Sequence, residues 1–236
     1  MIKIESASKS IESKILFKDI NFTLDNKKIF GLLGANGAGK TSLFRAIAGL
    51  SKVDSGEILF FKKNITNINL EKRAQLGLSY VPQENSLFDD LTLEDNLKSV
   101  IELKFSSLTD QKKKEMDRLI NLMGLNEKRT TAAKFLSGGE KRKTEILRAV
   151  LLEAKYLLLD EPFAGVDPIS VEEIIKILKN LKNNLGVFIS DHNFRDVINV
   201  CDEIILLNQG EVLLKGSPRE VKDNALARKF YFGDLN

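Results

Sequence analysis

Eight consecutive residues constrain this chain more than any other feature. Gly34-Ala35-Asn36-Gly37-Ala38-Gly39-Lys40-Thr41 follows a short apolar run at residues 29–34. It opens a segment, residues 40–48, that carries Leu43, Phe44, Ile47 and Ala48 at helical spacing before Gly49. A strand, a glycine-rich turn and a helix in that order aim backbone N–H groups and a helix N-terminus at one spot, which is an anion site. Glycines let the backbone curl around phosphate oxygens where a Cβ would obstruct. The pattern is G-x-x-x-x-G-K-[ST] in the context it requires, with Lys40 for the β- and γ-phosphates and the Thr41 hydroxyl for Mg²⁺. Asn36, Gly37, Ala38, Gly39 and Ser42 complete the expected nucleotide cradle.

Two further segments carry chemistry. Tyr156-Leu157-Leu158-Leu159-Asp160-Glu161 is an apolar strand ending in two carboxylates. Asp160, at the strand tip, can hold Mg²⁺, and Glu161 can polarise a water for attack on a γ-phosphate. Acidic residues often follow strands, so this pair gains its meaning from the phosphate loop. Leu136-Ser137-Gly138-Gly139-Glu140 has a plain role, because Ser-x-x-Glu is a capping box. A capping box does not need two consecutive glycines, which weaken a first turn. Ser137 and the N–H groups of Gly138 and Gly139 therefore read as a second anion site. One nucleotide loop plus a separate phosphate-binding helix start implies a site completed between two copies of the chain.

No linker or internal repeat divides the 236 residues. Residues 1–81 read as short strands with turns, at 2–7, 16–24, 57–61 and 76–81. Residues 84–150 read as helices, opened by Thr92 and Thr109. The second of these turns Met116, Leu119, Ile120 and Met123 inward and Lys112, Lys113 and Lys114 to a solvated face. Residues 151–236 alternate strands (156–160, 187–190, 203–207, 212–214) with helices at 168–182 and after Ser217-Pro218-x-Glu220. The texture predicts an α/β fold with ligands at the carboxyl ends of the strands. The charge balance, 36 − 33 = +3, brings no strongly basic stripe, so nucleic acid is not indicated. One Cys and one His exclude a disulfide framework and a Cys/His zinc site. No apolar run approaches the roughly 18 residues of a membrane span, and the N-terminus lacks an apolar signal region. The expectation is a cytoplasmic chain, with any membrane crossed by other subunits.

Residues 34–41, 136–140 and 156–161, together and in this order, resemble the ATP-binding cassette ATPases, and the resemblance covers the whole chain. It implies one cassette domain that hydrolyses ATP with Mg²⁺. Residues 1–83 and 151–236 would form a P-loop NTPase core, a RecA-like mixed sheet with helices, together with an antiparallel β subdomain. Residues 84–150 would form an α-helical subdomain with the signature helix. Gln83, in Val81-Pro82-Gln83-Glu84, resembles the Q-loop glutamine, which implies contact with Mg²⁺ and the γ-phosphate. Gly165-Val166-Asp167 resembles the D-loop at a dimer seam, and Asp167 also suits an N-cap ahead of Pro168. His192, in Ser190-Asp191-His192-Asn193, resembles the switch histidine on the γ-phosphate. A serine-type triad is set aside, because neighbours at a strand end do not converge. The place of the family's adenine-stacking aromatic falls near Ile11, while nearby Phe17 is expected in the core.

Within the family, residues 160–171 (Asp-Glu-Pro-Phe-Ala-Gly-Val-Asp-Pro-Ile-Ser-Val), Asp191-His192-Asn193 with Arg195, and Phe230-Tyr231-Phe232-Gly233 resemble the ATPases of lipopolysaccharide export. The resemblance implies a homodimer on the cytoplasmic face of the inner membrane that acts as a translocase with two transmembrane subunits. Residues 85–91 would receive a short helix of the membrane subunit, with Leu87, Phe88 and Leu91 as apolar anchors or, for the two leucines, as packing between lobes. ATPases of branched-chain amino-acid importers share much of the pattern. A soluble cassette ATPase acting on DNA or ribosomes is disfavoured by the single loop and the lack of a heptad insertion. A P-loop kinase or GTPase is disfavoured by residues 136–140 and the lack of Asn-Lys-x-Asp.

Overall fold

The computed structural model describes residues 1–228. A hairpin of β1 (Ile2–Ile11) and β2 (Lys14–Leu24) is followed by β3 (Ile29–Leu33), α1 (Lys40–Ala48), β4 (Ser55–Phe60) and β5 (Lys63–Asn64). Helix α2 (Leu70–Gln75) leads to β6 (Leu78–Val81), then to α3 (Leu93–Phe105), α4 (Asp110–Leu122) and α5 (Gly138–Leu151). The rest alternates: β7 (Tyr156–Asp160), α6 (Pro168–Leu181), β8 (Gly186–Ser190), α7 (Phe194–Val200), β9 (Glu203–Asn208), β10 (Glu211–Gly216), α8 (Pro218–Asp223) and α9 (Ala225–Ala227).

The strands form two sheets. One is antiparallel, in the order β2-β1-β4-β5; the other runs β10-β9-β3-β8-β7-β6. In the second, β9, β3, β8, β7 and β6 are parallel and β10 is antiparallel to β9. This is the expected mixed sheet with an antiparallel companion. The register aligns the carboxyl ends: Val81 pairs with Leu159, Asp160 with Ser190, and Leu32 with Ser190. The residues that follow these ends therefore share one edge, where an open α/β sheet binds ligands.

Strands β3, β7 and β8 are buried at every residue, so their side chains feed two cores by alternation. Phe30, Leu32, Leu158, Phe188 and Ile205 face the antiparallel sheet and α1, where Phe44 stacks on Phe188 at 4.6 Å. Ile29, Leu33, Leu157, Leu159, Val187 and Ile189 face the cluster that contains the apolar sides of α3 to α6. Arg73, on α2, is buried with no carboxylate against it among the described residues. Its donors reach five carbonyls: Ile68, Ala46, Ile47, Ile65 and Thr66. Two of these close the C-terminal end of α1. Burial lowers its pKa to about 10.

The structure extends or corrects several expectations. β1 and β2 are longer than residues 2–7 and 16–24, because register shifts between Ile4 and Ala7 and between Ala7 and Lys9 break the period-2 pattern. Lys112 is not on a solvated face. It pairs with Glu115 at 2.9 Å and Glu153 at 2.8 Å and lies 4.5 Å from the centre of the Phe105 ring. Its stem covers apolar surface while its charge is paired. Residues 230–233 lie outside the described residues. No helix among the described residues is long and apolar enough to cross a membrane.

Candidate nucleotide-binding and catalytic site

The loop between β3 and α1 begins where β3 ends, at the middle of the mixed sheet. Gly37 and Gly39 have φ of 81° and 99°. A Cβ on Gly39 would overlap the carbonyl oxygen of Leu16, so glycine there serves both conformation and close approach. No side chain caps α1, which leaves its first N–H groups to an external acceptor or to water. Lys40 is 7% exposed, and its Nζ donates to the carbonyls of Gly34 (2.6 Å) and Ala35 (3.1 Å). Burial lowers its pKa, opposed by Glu161, Asp160 and Asp191. Asn36, Gly37 and Ala38 form the loop, and Ser42 lies in the first turn of α1. Thr41 borders a cleft of about 500 Å³ together with Arg45, Tyr80, Gln83 and Asp160.

Asp160, which lines the same cleft, is 4% exposed. Its Oδ2 accepts from the Tyr80 hydroxyl at 3.2 Å, while its buried Oδ1 has no hydrogen-bond partner among the described residues. Burial raises its pKa. An orphaned carboxylate oxygen on the cleft that Thr41 borders is the donor set of a hard divalent cation. The described residues hold no cluster of three or more His, Cys, Asp or Glu suited to a metal, so such a cation would need phosphate oxygens or water as further ligands.

Glu161 is the point of convergence. Its φ is +46°, a left-handed conformation costly for a non-glycine. Its N–H donates to the Ser190 carbonyl at 2.6 Å, which pins it between β7 and β8. Oε2 accepts from Gln83 Nε2 at 2.9 Å and lies 3.3 Å from His192 Nδ1. Gln83, Glu161 and His192 are thus gathered from the ends of three parallel strands. The buried Asp191 fixes the loop by accepting from the N–H groups of Asn193 (2.8 Å) and Phe163 (3.3 Å).

Ser137, Gly138, Gly139 and Asp167 stand apart. Among the described residues, no hydrogen bond or ion pair joins them to residues 34–42. Ser137 and Glu140 form the capping box, and Asp167 caps α6 by accepting from the Ser170 N–H at 3.0 Å. The paired glycines also have a structural cause that the sequence hid: a Cβ on Gly139 would overlap Cβ and Oγ of Ser170, and one on Gly138 would lie 3.0 Å from the Gly165 carbonyl oxygen. Gly139→Ala should therefore destabilise the protein despite alanine's better helix propensity. Overpacking costs ~1–3 kcal/mol against a propensity gain of at most ~1 kcal/mol. Urea unfolding checks the sign, and a stabilised variant would refute the packing argument.

Sequence reasoning missed a latch on α5. The buried Arg142 pairs with the buried Glu145 at 3.1 Å and donates to the carbonyls of Pro82 (2.8 Å), Gln83 (3.1 Å) and Glu161 (3.5 Å). Glu145 accepts from the Ser86 N–H and hydroxyl, and Arg148 donates to the Ser86 carbonyl. Charged residues three apart on a helix look solvent-facing in sequence; only the fold reveals a loop above them. Asn96 braces the same loop by accepting from the Phe88 N–H and donating to the carbonyls of Phe88, Leu91 and Thr92. Phe88 is 54% exposed, with Arg148 5.5 Å from its ring centre, and Leu91 is also exposed. Leu87 is buried in the core, which selects packing between the lobes over the surface anchor, the other of its two expected places. Ile11 is exposed at the end of the hairpin, and Phe17 is buried as expected.

Comparison with known proteins agrees with this geometry. The sequence model described as ABC transporter matches residues 17–164, more than half the chain. The chain belongs to the ABC transporter ATPase family. The lipopolysaccharide export system ATP-binding protein LptB of Haemophilus influenzae is 39% identical over 99% of this chain and 98% of that protein. Its counterpart in Escherichia coli strain K12 is 36% identical over 98% of this chain and 96% of that protein. Among solved structures, the ADP conformation of an ATP-binding cassette of an ABC transporter superposes with a TM-score of 0.89 at 23% identity, covering 99% of each chain. The cassette cbiO1 of Clostridium perfringens gives 0.82 at 28% identity, over 99% of this chain and 95% of the other. The chain is therefore an ATP-binding, ATP-hydrolysing subunit, and its P-loop NTPase fold is that of a cassette.

Proposed function

We propose that this subunit powers lipopolysaccharide extraction from the inner membrane for export to the outer membrane. The catalytic part of the reading is carried by the convergence of Gln83 and His192 on the Glu161 carboxylate at the sheet edge that bears the phosphate loop. The cargo is supported by full-length similarity to lipopolysaccharide export subunits, which favours it over an amino-acid importer.

Each role follows from position. The N–H groups of residues 36–42 cradle the β- and γ-phosphates once Lys40 turns from the carbonyls of Gly34 and Ala35 to the anion. Thr41, Gln83 and Asp160 would hold Mg²⁺, and the ion would supply neutralisation of charge on the phosphate oxygens. Glu161 polarises the attacking water, and Gln83 and His192 orient it and the γ-phosphate. Ser137, Gly138 and Gly139 close on the nucleotide of a second copy, with Asp167 at the seam, because among the described residues no hydrogen bond or ion pair joins them to the phosphate loop of their own chain. Residues 84–150 act as the helical subdomain and residues 1–83 with 151–236 as the core with its β subdomain. The Arg142 latch ties the subdomain to Gln83. The homodimer works on the cytoplasmic face of the inner membrane, peripheral to it and without nucleic acid, bound to two transmembrane subunits.

Ile11 lies where adenine would rest. Ile11→Tyr should tighten ATP binding several-fold, since base–aromatic stacking is worth ~1–3 kcal/mol and isoleucine supplies only the apolar part. Titration calorimetry decides it, and unchanged affinity assigns adenine to another residue.

Phe88 and Leu91 anchor the membrane subunits. The loop carrying them is braced by Asn96 and Arg148, so it presents a fixed apolar knob beside Asp89 and Asp90. Phe88→Ala should leave the ATPase activity of the free protein largely intact and weaken assembly by ~2 kcal/mol or more. Asp89→Lys should weaken assembly more at low salt than at high. Pull-down with lipopolysaccharide transmembrane subunits, set against those of an amino-acid importer, tests both anchor and cargo. Capture by the importer alone would overturn the export reading.

A further inference from the structure

Phe135 is 72% exposed, more than any other aromatic among the described residues. It is not loosely held. It ends a short 3₁₀ turn, Ala133–Phe135, and its N–H donates to the Ala132 carbonyl at 2.9 Å. The Leu136 N–H donates to Ala133, and the Lys134 N–H donates to the Asp89 carbonyl at 3.0 Å. Lys134 Nζ pairs with Asp90 at 2.8 Å and lies 5.5 Å from the Phe135 ring centre. An aromatic ring is thus kept in solvent by ordered backbone, two residues before Ser137.

The receiving surface has the complementary lack. Ile11 and Ile15 are 57% and 60% exposed near the tip of the β1–β2 hairpin, whose Leu16 carbonyl abuts Gly39 of the phosphate loop. Both side chains are aliphatic, and among the described residues no ring pair includes the hairpin tip. Leu136, between Phe135 and Ser137, is extended, and two residues span at most about 7 Å, so the ring is within reach of the base of a nucleotide whose terminal phosphate meets Ser137. Adenine has two faces, and an aliphatic edge can cover only one.

We propose that Phe135 of one copy stacks on the adenine bound by the phosphate loop of a second copy, so that the base is held between Phe135 and the partner's aliphatic edge. This rests on the shared-site dimer proposed above. It assigns base recognition to the segment that Asp89 and Asp90 tether, next to the loop that carries Phe88.

The chain has no tryptophan, so Phe135→Trp installs a single fluorescent reporter at the proposed contact. In the Glu161→Gln protein, ATP with Mg²⁺ should quench its emission over the range of protein concentration in which sedimentation shows dimer. Phe135→Ala should raise the ATP concentration for half-maximal dimer formation about tenfold, as expected for loss of one base stack, and Phe135→Tyr should restore it. A dimer that forms with ATP without quenching, or equal quenching by inorganic tripolyphosphate, which has no base, overturns the proposal. So does dimer formation by Phe135→Ala at the unmodified ATP concentration. Failure of Glu161→Gln itself to dimerise with ATP overturns the shared-site reading, and this proposal with it.

Discussion

Glu161→Gln is expected to bind ATP and hydrolyse it ~10²–10⁴-fold more slowly, the usual worth of a general base or water-polarising group. The substitution keeps side-chain size. The left-handed backbone at residue 161 is tolerated equally by Glu and Gln, and its N–H keeps the Ser190 carbonyl, so the fold should survive. What changes is the acceptor shared by Gln83 and His192: an amide offers one oxygen where the carboxylate offers two, and it carries no charge to polarise water. ATP should persist and hold the dimer together. Phosphate release and sedimentation with ATP measure the two consequences. A near-normal rate would transfer the polarising role to His192.

Ser137→Arg should abolish hydrolysis in the homodimer while leaving ATP binding to the monomer nearly intact. Ser137 caps α5 within its own chain, so the variant also loses a cap worth ~1 kcal/mol. Ser137→Ala supplies the control, since it removes the cap without adding bulk or charge. Mixed with Lys40→Ala subunits, Ser137→Arg subunits should regain activity. The phosphate loop of one and the intact helix start of the other then rebuild one composite site, and neither protein alone can do so. Mixed dimers that form yet show no recovery would disprove sharing.

The phosphate loop, the Leu-rich strand and the capped helix starts were legible because each is a local device: a turn needing left-handed glycines, a run of apolar residues of strand length, a serine three residues before a glutamate. The parallel sheet followed from their alternation. Arg142, Glu145 and Tyr80 were not legible, because their meaning lies in partners about 20 to 80 positions away. The role of Gly139 was half legible. Its sequence signals a helix start that tolerates no side chain, but the reason visible within one chain is Ser170, not an anion. Leu87 shows the same limit in reverse. In an Asn-Ser-Leu-Phe-Asp-Asp-Leu stretch the aromatic suits an interface anchor, but a leucine suits a surface anchor and packing between lobes equally; Asn96 and Glu145, which grip the backbone around them, make the choice.

Arg73 carries a consequence for how the molecule opens. Its guanidinium has five N–H donors, and all of them are spent on carbonyls from the end of the phosphate-loop helix and from residues 65–68. Partial fraying of either segment would strand a buried cation, so the segments open together or not at all. Amide hydrogen exchange should show α1, α2 and residues 65–68 exchanging as one cooperative unit. Lysine, with three donors and no planar fork, would split that unit even while keeping the charge.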